Sequence, residues 1–228
     1  MTVWVAPDYA TLIRQVGEDQ TEFAYIGPAP YVAMVERYGQ KRLLGRLAVN
    51  GSPSYRGVVV VRAESPFQTL EALKGMRVGF VNRSSTMGYL VPVSLLHQAG
   101  VALTDLKDAV FVGGHRNVAL GVLMGTFEAG AVKDEVFEAY RSQGLRALAE
   151  TPLISEQAFL ATRRVPADLT EKTQTALADL GRRPEGVRTL SAITSNVTAF
   201  APIADSDYDE LRVILAQLKR LGLWEAGR

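Results

Sequence analysis

Short apolar runs alternate with helical patterns along almost the whole chain, and this alternation restricts the fold more than any other feature. Residues 58–61 are four consecutive valines, the pattern of a strand buried on both faces. Strands are expected at 3–6, 22–26, 43–49, 55–62, 77–81, 110–112, 127–132, 145–149 and 158–162. Helices are expected at 9–16, 31–38, 70–73, 87–98, 117–124, 134–143, 169–180, 184–190 and 208–221, with Pro92 kinking or restarting the fourth. Leu169, Thr173, Ala176 and Leu180 form an apolar stripe on the helix that contains them. Strands and helices in alternation argue for an α/β fold with mainly parallel sheets and flanking helices. No polar linker separates independent domains, so two lobes sharing hinge strands fit better than two separate beads.

Composition removes several functional classes. The formal net charge of the 228 residues is +1, which gives no electrostatic case for nucleic acid or a membrane surface. With no cysteine, disulfides and thiolate chemistry are excluded. No apolar run of about 18 residues exists to cross a bilayer. The first residues lack the basic start and long apolar stretch of a signal peptide. Neither a metal-ligand cluster nor a catalytic triad is legible.

Two clusters carry the chemistry. Ser84-Ser85-Thr86-Met87-Gly88-Tyr89 and Gly113-Gly114-His115 each lie where an apolar strand ends and a helical pattern begins. Helix starts present N–H groups without intrahelical acceptors and a partial positive charge, so hydroxyls and an imidazole at two of them make a receptor for a small oxyanion. Ser84, Ser85 and Thr86 also suit simple helix capping, although three hydroxyls in a row exceed what a cap needs. Gly88 would let a ligand approach the backbone. His115 can donate to an anion, which would favour its charged form, or be an exposed cap. His97, late in a helix, reads as structural. Tyr25, Tyr31 and Tyr55 flank strand ends, where a ring can wall a pocket or simply pack. Glu135 opens a helix, where an acidic residue is favourable for dipole reasons alone. Arg56, Arg83, Arg116 and Lys133 lie near these positions, but none stands apart from ordinary surface charge.

Ordered pieces over nearly the whole chain resemble the phosphonate/phosphate/phosphite-binding component of ABC transporters, a family of periplasmic type II solute-binding proteins. They include Ala6-Pro7-Asp8-Tyr9-Ala10, Phe23-Ala24-Tyr25-Ile26-Gly27-Pro28 and Gly51-Ser52-Pro53-Ser54-Tyr55-Arg56-Gly57. Leu70-Glu71-Ala72-Leu73-Lys74-Gly75, Ser85-Thr86-Met87-Gly88-Tyr89-Leu90-Val91-Pro92, Gly114-His115 and Thr151-Pro152-Leu153-Ile154 complete the series. The resemblance implies two α/β lobes closing on a ligand in an interlobe cleft, the first at 1–63 and 153–228 and the second at 64–152. It implies that Ser85, Thr86 and His115 hold the phosphonate oxygens, that Tyr55 contacts the ligand and that Glu135 can meet a ligand amine. It further implies a periplasmic or extracytoplasmic location, an ABC-transporter permease as partner, and recognition without catalysis, cofactor or metal.

Three departures qualify this reading. Met87 stands where the family has a second serine, and Gln157 where aminophosphonate binders place a second carboxylate, which argues against 2-aminoethylphosphonate as ligand. The strand and helix that precede residue 3 in the family have no counterpart, so a slot beside residues 22–26 is expected, with the chain either shortened or completed there by a second copy or a partner chain. Two other roles stay open: an extracytoplasmic sensor domain of a signalling protein, and an enzyme in which His115 is the general base.

Overall fold

The computed structural model describes residues 2–193 and 196–226, the side chain of Ile193 excepted. The chain forms two compact units. Unit 1 takes Met1–Ser54, Ile154–Val213 and Glu225–Arg228; unit 2 takes Tyr55–Leu153 and Ile214–Trp224. The strands are β1 (Phe23–Ile26), β2 (Arg42–Val49), β3 (Ser54–Tyr55), β4 (Gly57–Arg62), β5 (Arg77–Phe80), β6 (Asp108–Phe111), β7 (Ala129–Lys133), β8 (Leu145–Glu150), β9 (Ile154–Ser155), β10 (Ala158–Ala161) and β11 (Val197–Ala201). The helices are α1 (Tyr9–Gly17), α2 (Pro28–Tyr38), α3 (Val91–Gln98), α4 (His115–Leu123), α5 (Asp134–Arg141), α6 (Ala167–Asp179), α7 (Pro184–Ile193) and α8 (Asp209–Arg220).

Unit 1 holds a four-stranded sheet in the order β1-β10-β2-β11, antiparallel at each ladder. Leu44, Ala161 and Val165 pack with Phe23, Phe159 and Leu177, and Leu47, Leu190 and Val197 form a neighbouring cluster. β11 was not expected from its sequence. Val197, Thr198 and Phe200 are residue types that favour strands, but the run is short and follows a helical pattern, and its pairing with β2 establishes it. The stripe expected on α6 is rotated: Thr170 is buried and Leu169 is 46% exposed. Residues 3–6, expected as a strand, join no ladder, and Val3 and Val5 are 77% and 84% exposed. A strand exists only with a partner for its N–H and C=O groups, and among the described residues none lies beside this segment. β1 is an edge of the sheet, paired with β10 alone among the described strands.

One buried charge stiffens this unit. The Lys41 side chain is 2% exposed, and its Nζ donates to Gly17 O at 2.8 Å and to Asp19 Oδ1 at 2.6 Å. A cation at the last carbonyls of α1 also complements the helix dipole. Burial pushes the Asp19 carboxyl up, but hydrogen bonds from Lys41 and from the Arg163 N–H outweigh it, holding the group below its ordinary range.

Unit 2 holds a five-stranded sheet in the order β6-β5-β7-β4-β8. β5 runs parallel to β6 and β7, and β4 runs antiparallel to β7 and β8. The four valines of β4 are at most 1% exposed, in keeping with a central strand covered on both faces. The Phe127 ring lies over Gly79 of β5 and Gly121 of α4, where added Cβ atoms would come within 2.3 and 2.2 Å of it. These two bare backbones let α4 sit close on the sheet, which fixes where the helix begins. No helix among the described residues is long and apolar enough to cross a membrane.

Candidate functional site

Three helical starts gather at one edge of the unit 2 sheet. β5, β6 and β7 run parallel, so their carboxyl ends share an edge, and each is followed there by a turn into a helical segment. In open α/β sheets this edge is where ligands bind.

After β5 the chain turns at Asn82, whose Oδ1 accepts the Ser84 N–H at 3.0 Å. Ser85 caps the next segment, its Oγ accepting the Gly88 N–H at 3.1 Å. Thr86, Met87, Gly88, Tyr89 and Leu90 then form a π-helical turn that runs directly into α3. The physical cause is Pro92. Without an N–H it cannot bond to the Gly88 carbonyl four residues back. That carbonyl instead accepts the Val81 N–H at 3.1 Å, which ties the turn to the end of β5. Such widened turns recur at functional sites. A Cβ at Gly88 would lie 2.3 Å from Val81 Cγ2 and 2.7 Å from Ser85 Oγ, so the glycine is required by packing rather than by the approach of a ligand. Arg83 stacks over Phe111 at 4.8 Å, and Phe80, Tyr89 and Phe111 form an aromatic cluster beneath it. Met87 is buried and supplies no hydroxyl.

After β6, Gly113 adopts φ +79°, a left-handed conformation that favours glycine, and its N–H donates to Val81 O at 2.9 Å. The α4 start at Gly114 has no side-chain cap. His115 Nδ1 accepts the Lys133 N–H at 3.1 Å, so the imidazole proton sits on Nε2. Burial, with the Lys133 ammonium adding to it and Glu135 opposing, lowers the His115 pKa to about 4. The charged form expected for an anion site is therefore replaced by a neutral Nε2–H donor.

After β7, α5 starts without a side-chain cap at Lys133. Glu135 Oε2 pairs with Lys133 Nζ at 2.5 Å. Tyr55 is buried just before β4, whose Gly57 pairs with Lys133, so the ring belongs to the same edge.

Ser84, Ser85, Thr86, Gly88, Tyr55, His115 and Glu135 thus all lie in unit 2. The other two candidates lie in unit 1. Tyr25 is 44% exposed on β1. Tyr31 is fully buried against Tyr208, and its hydroxyl donates to Asp205 Oδ1 at 2.8 Å, a bond that serves the core of that unit. Sequence reasoning missed Asn82, Asp134 and the role of Lys133. An Asn just after a strand and before serines is a signal for an Asx turn. A lysine whose backbone serves one group and whose ammonium serves another leaves no signal. Among the described residues, no group of three or more His, Asp or Glu is placed to hold a metal.

The displaced His115 pKa has a measurable consequence. A histidine with a folded pKa near 4 and an unfolded pKa of 6.5 contributes stability that is present above 6.5 and lost as pH falls towards 4. That loss amounts to about 3 kcal/mol at full protonation. In urea titrations, His115→Gln is expected to flatten the wild-type decline between these pH values by that amount.

Two helix starts without side-chain caps, at Gly114 and Lys133, and a third capped by Ser85 thus meet at one sheet edge, a setting whose N–H groups favour an anion. A family model described as the phosphonate periplasmic substrate-binding protein of ABC transporters matches residues 1–208. The chain belongs to that family. It is 26% identical to the phosphate-import protein PhnD of Mycolicibacterium smegmatis, over 91% of this chain and 72% of that protein. It is 24% identical to the phosphonates-binding periplasmic protein of Escherichia coli, over 81% of this chain and 58% of that protein. The structure of PhnD1 from Prochlorococcus marinus in complex with methylphosphonate superposes with a TM-score of 0.80, at 21% identity, covering 94% of this chain and 85% of that one. A phosphonate-transporter binding component from Pseudomonas aeruginosa gives a TM-score of 0.81 at 20% identity, covering 97% and 76%. These likenesses show the α/β type II periplasmic binding-protein fold.

Proposed function

We propose that the chain captures a phosphonate-, phosphite- or phosphate-like anion for uptake by an ABC transporter, with recognition alone and no turnover. The observation that carries this is the convergence of three helical starts on the β5–β6–β7 edge. There Ser85, Thr86 and the neutral His115 Nε2–H would surround the oxygens of a tetrahedral guest. Tyr55 would bound the guest from the β4 side, and a transporter permease would be the partner in a periplasmic or extracytoplasmic location. Relatives described as importing phosphate and as binding phosphonates, and a neighbour bound to methylphosphonate, support this ligand class.

Calorimetric titration with methylphosphonate, phosphite and inorganic phosphate tests the reading. Binding of at least one is expected. Thr86→Ala is expected to weaken that ligand by about 1–3 kcal/mol, the range for hydrogen bonds to a charged group. No binding by any of the three, or unchanged affinity in the variant, counts against the cradle.

A further inference from the structure

Asn50 alone among the asparagines of this chain is followed by glycine. The pair forms the two-residue turn at the end of β2. Val49 N–H donates to Ser52 O at 2.8 Å, and Ser52 N–H donates to Val49 O at 3.0 Å. Asn50 and Gly51 adopt φ +51° and +79°, the two positive values that a type I′ turn needs. Both residues are exposed to water. A carboxamide next to a glycine N–H, with no side chain to shield that nitrogen, is the setting for spontaneous ring closure. Two further bonds tie the turn down. Asn50 N–H donates to Asn196 O at 2.8 Å, and Gly51 N–H donates to Thr198 Oγ1 at 3.1 Å. The Thr198 hydroxyl donates in turn to Ala48 O at 3.1 Å, which leaves an oxygen lone pair for Gly51.

We propose that Asn50 is a site of spontaneous deamidation and that the Thr198 hydroxyl sets its rate. In the first step the Gly51 nitrogen bonds to Asn50 Cγ, the bond from that carbon to the side-chain nitrogen breaks, and the Gly51 proton leaves with that nitrogen as ammonia. Water then opens the resulting succinimide to aspartate or isoaspartate. The fold opposes the first step twice. The bond to Thr198 holds the proton that Gly51 must release, and the paired bonds between Val49 and Ser52 restrict the backbone rotation that brings the nitrogen onto Cγ. Either product adds a carboxylate to the turn. The isoaspartyl form also carries the backbone through one extra carbon, which a two-residue turn closing on Val49 and Ser52 does not accommodate. Asn50 and Thr198 belong to unit 1, so the inference does not depend on the anion cradle in unit 2.

The test is incubation of the full chain in mildly alkaline buffer, with mass spectrometry of the intact protein to follow the amide-to-carboxylate mass gain. Peptide mapping then places the gain and separates aspartyl from isoaspartyl product. Thr198→Val is expected to deamidate at Asn50 about two- to tenfold faster than wild type, the rate equivalent of one neutral hydrogen bond. Thr198→Ala is measured beside it in case the first folds poorly. Thr198→Ser keeps the acceptor oxygen and is expected to match wild type. In urea, wild type and Thr198→Val are expected to react at one common rate, faster than native wild type. A wild-type rate in both Thr198→Val and Thr198→Ala overturns the inference. So does a Thr198→Ser rate as fast as theirs, which would assign the effect to disturbance of β11. Equal rates for wild type in buffer and in urea, or a gain mapped to another asparagine, also overturn it.

Discussion

Gly88→Ala is expected to abolish measurable binding of methylphosphonate. The added methyl would press on Val81 Cγ2 and on Ser85 Oγ, and neither can retreat without loss. Val81 sits at the end of β5 and its N–H holds the Gly88 carbonyl, so moving it breaks the bond that anchors the π-turn. Ser85 Oγ is the cap of that turn, so moving it releases the Gly88 N–H. Overpacking of this kind costs about 1–3 kcal/mol of stability. The larger effect falls on geometry, because Thr86 lies inside the displaced turn and a shift of about 1 Å in a binding group is enough to cost two orders of magnitude. Calorimetry on the folded variant checks the binding loss, and its melting curve separates that loss from unfolding. Wild-type affinity in Gly88→Ala would mean that the π-turn does not hold the ligand.

Asp19→Ala is expected to remove about 3 kcal/mol of stability, since breaking a buried pair leaves an uncompensated charge. Lys41 would keep only the Gly17 carbonyl as acceptor, inside a site where its side chain is 2% exposed. Asp19 also sits at φ +57°, an uncommon conformation that aspartate tolerates better than alanine. Denaturant unfolding of Asp19→Ala beside Lys41→Met discriminates the causes. The double variant should recover part of the loss if the stranded ammonium is responsible, and recover nothing if backbone strain is.

Much of the candidate edge is legible in the sequence because it depends on local grammar. Ser85 and Thr86 follow a short apolar strand and precede a helical pattern, and Gly113-Gly114-His115 repeats that arrangement. Neither needs tertiary information to be recognised. The charge state of His115 was not readable, because it follows from burial and from the Lys133 N–H, a donor 18 residues away in the chain. Lys133 itself looked like surface. The misread segment at 3–6 has the alternation of a strand, but a ladder requires a neighbour that composition does not reveal. β11 is the converse, a short run holding the strand formers Val197, Thr198 and Phe200 that shows itself only once it pairs with β2. Residues 55–62 were expected to be continuous, whereas the run breaks at Arg56, whose backbone turns to bond with Asp134 on both its N–H and its carbonyl.

Every group proposed to touch the anion falls within Tyr55–Leu153, one uninterrupted stretch of the chain. Exchange of that stretch between relatives, by recombination or by gene fusion, would carry the proposed cradle across as one cassette. On that reading the ligand preference would travel with unit 2 in a single genetic event, while the β1-β10-β2-β11 sheet and its buried Lys41 would be inherited untouched.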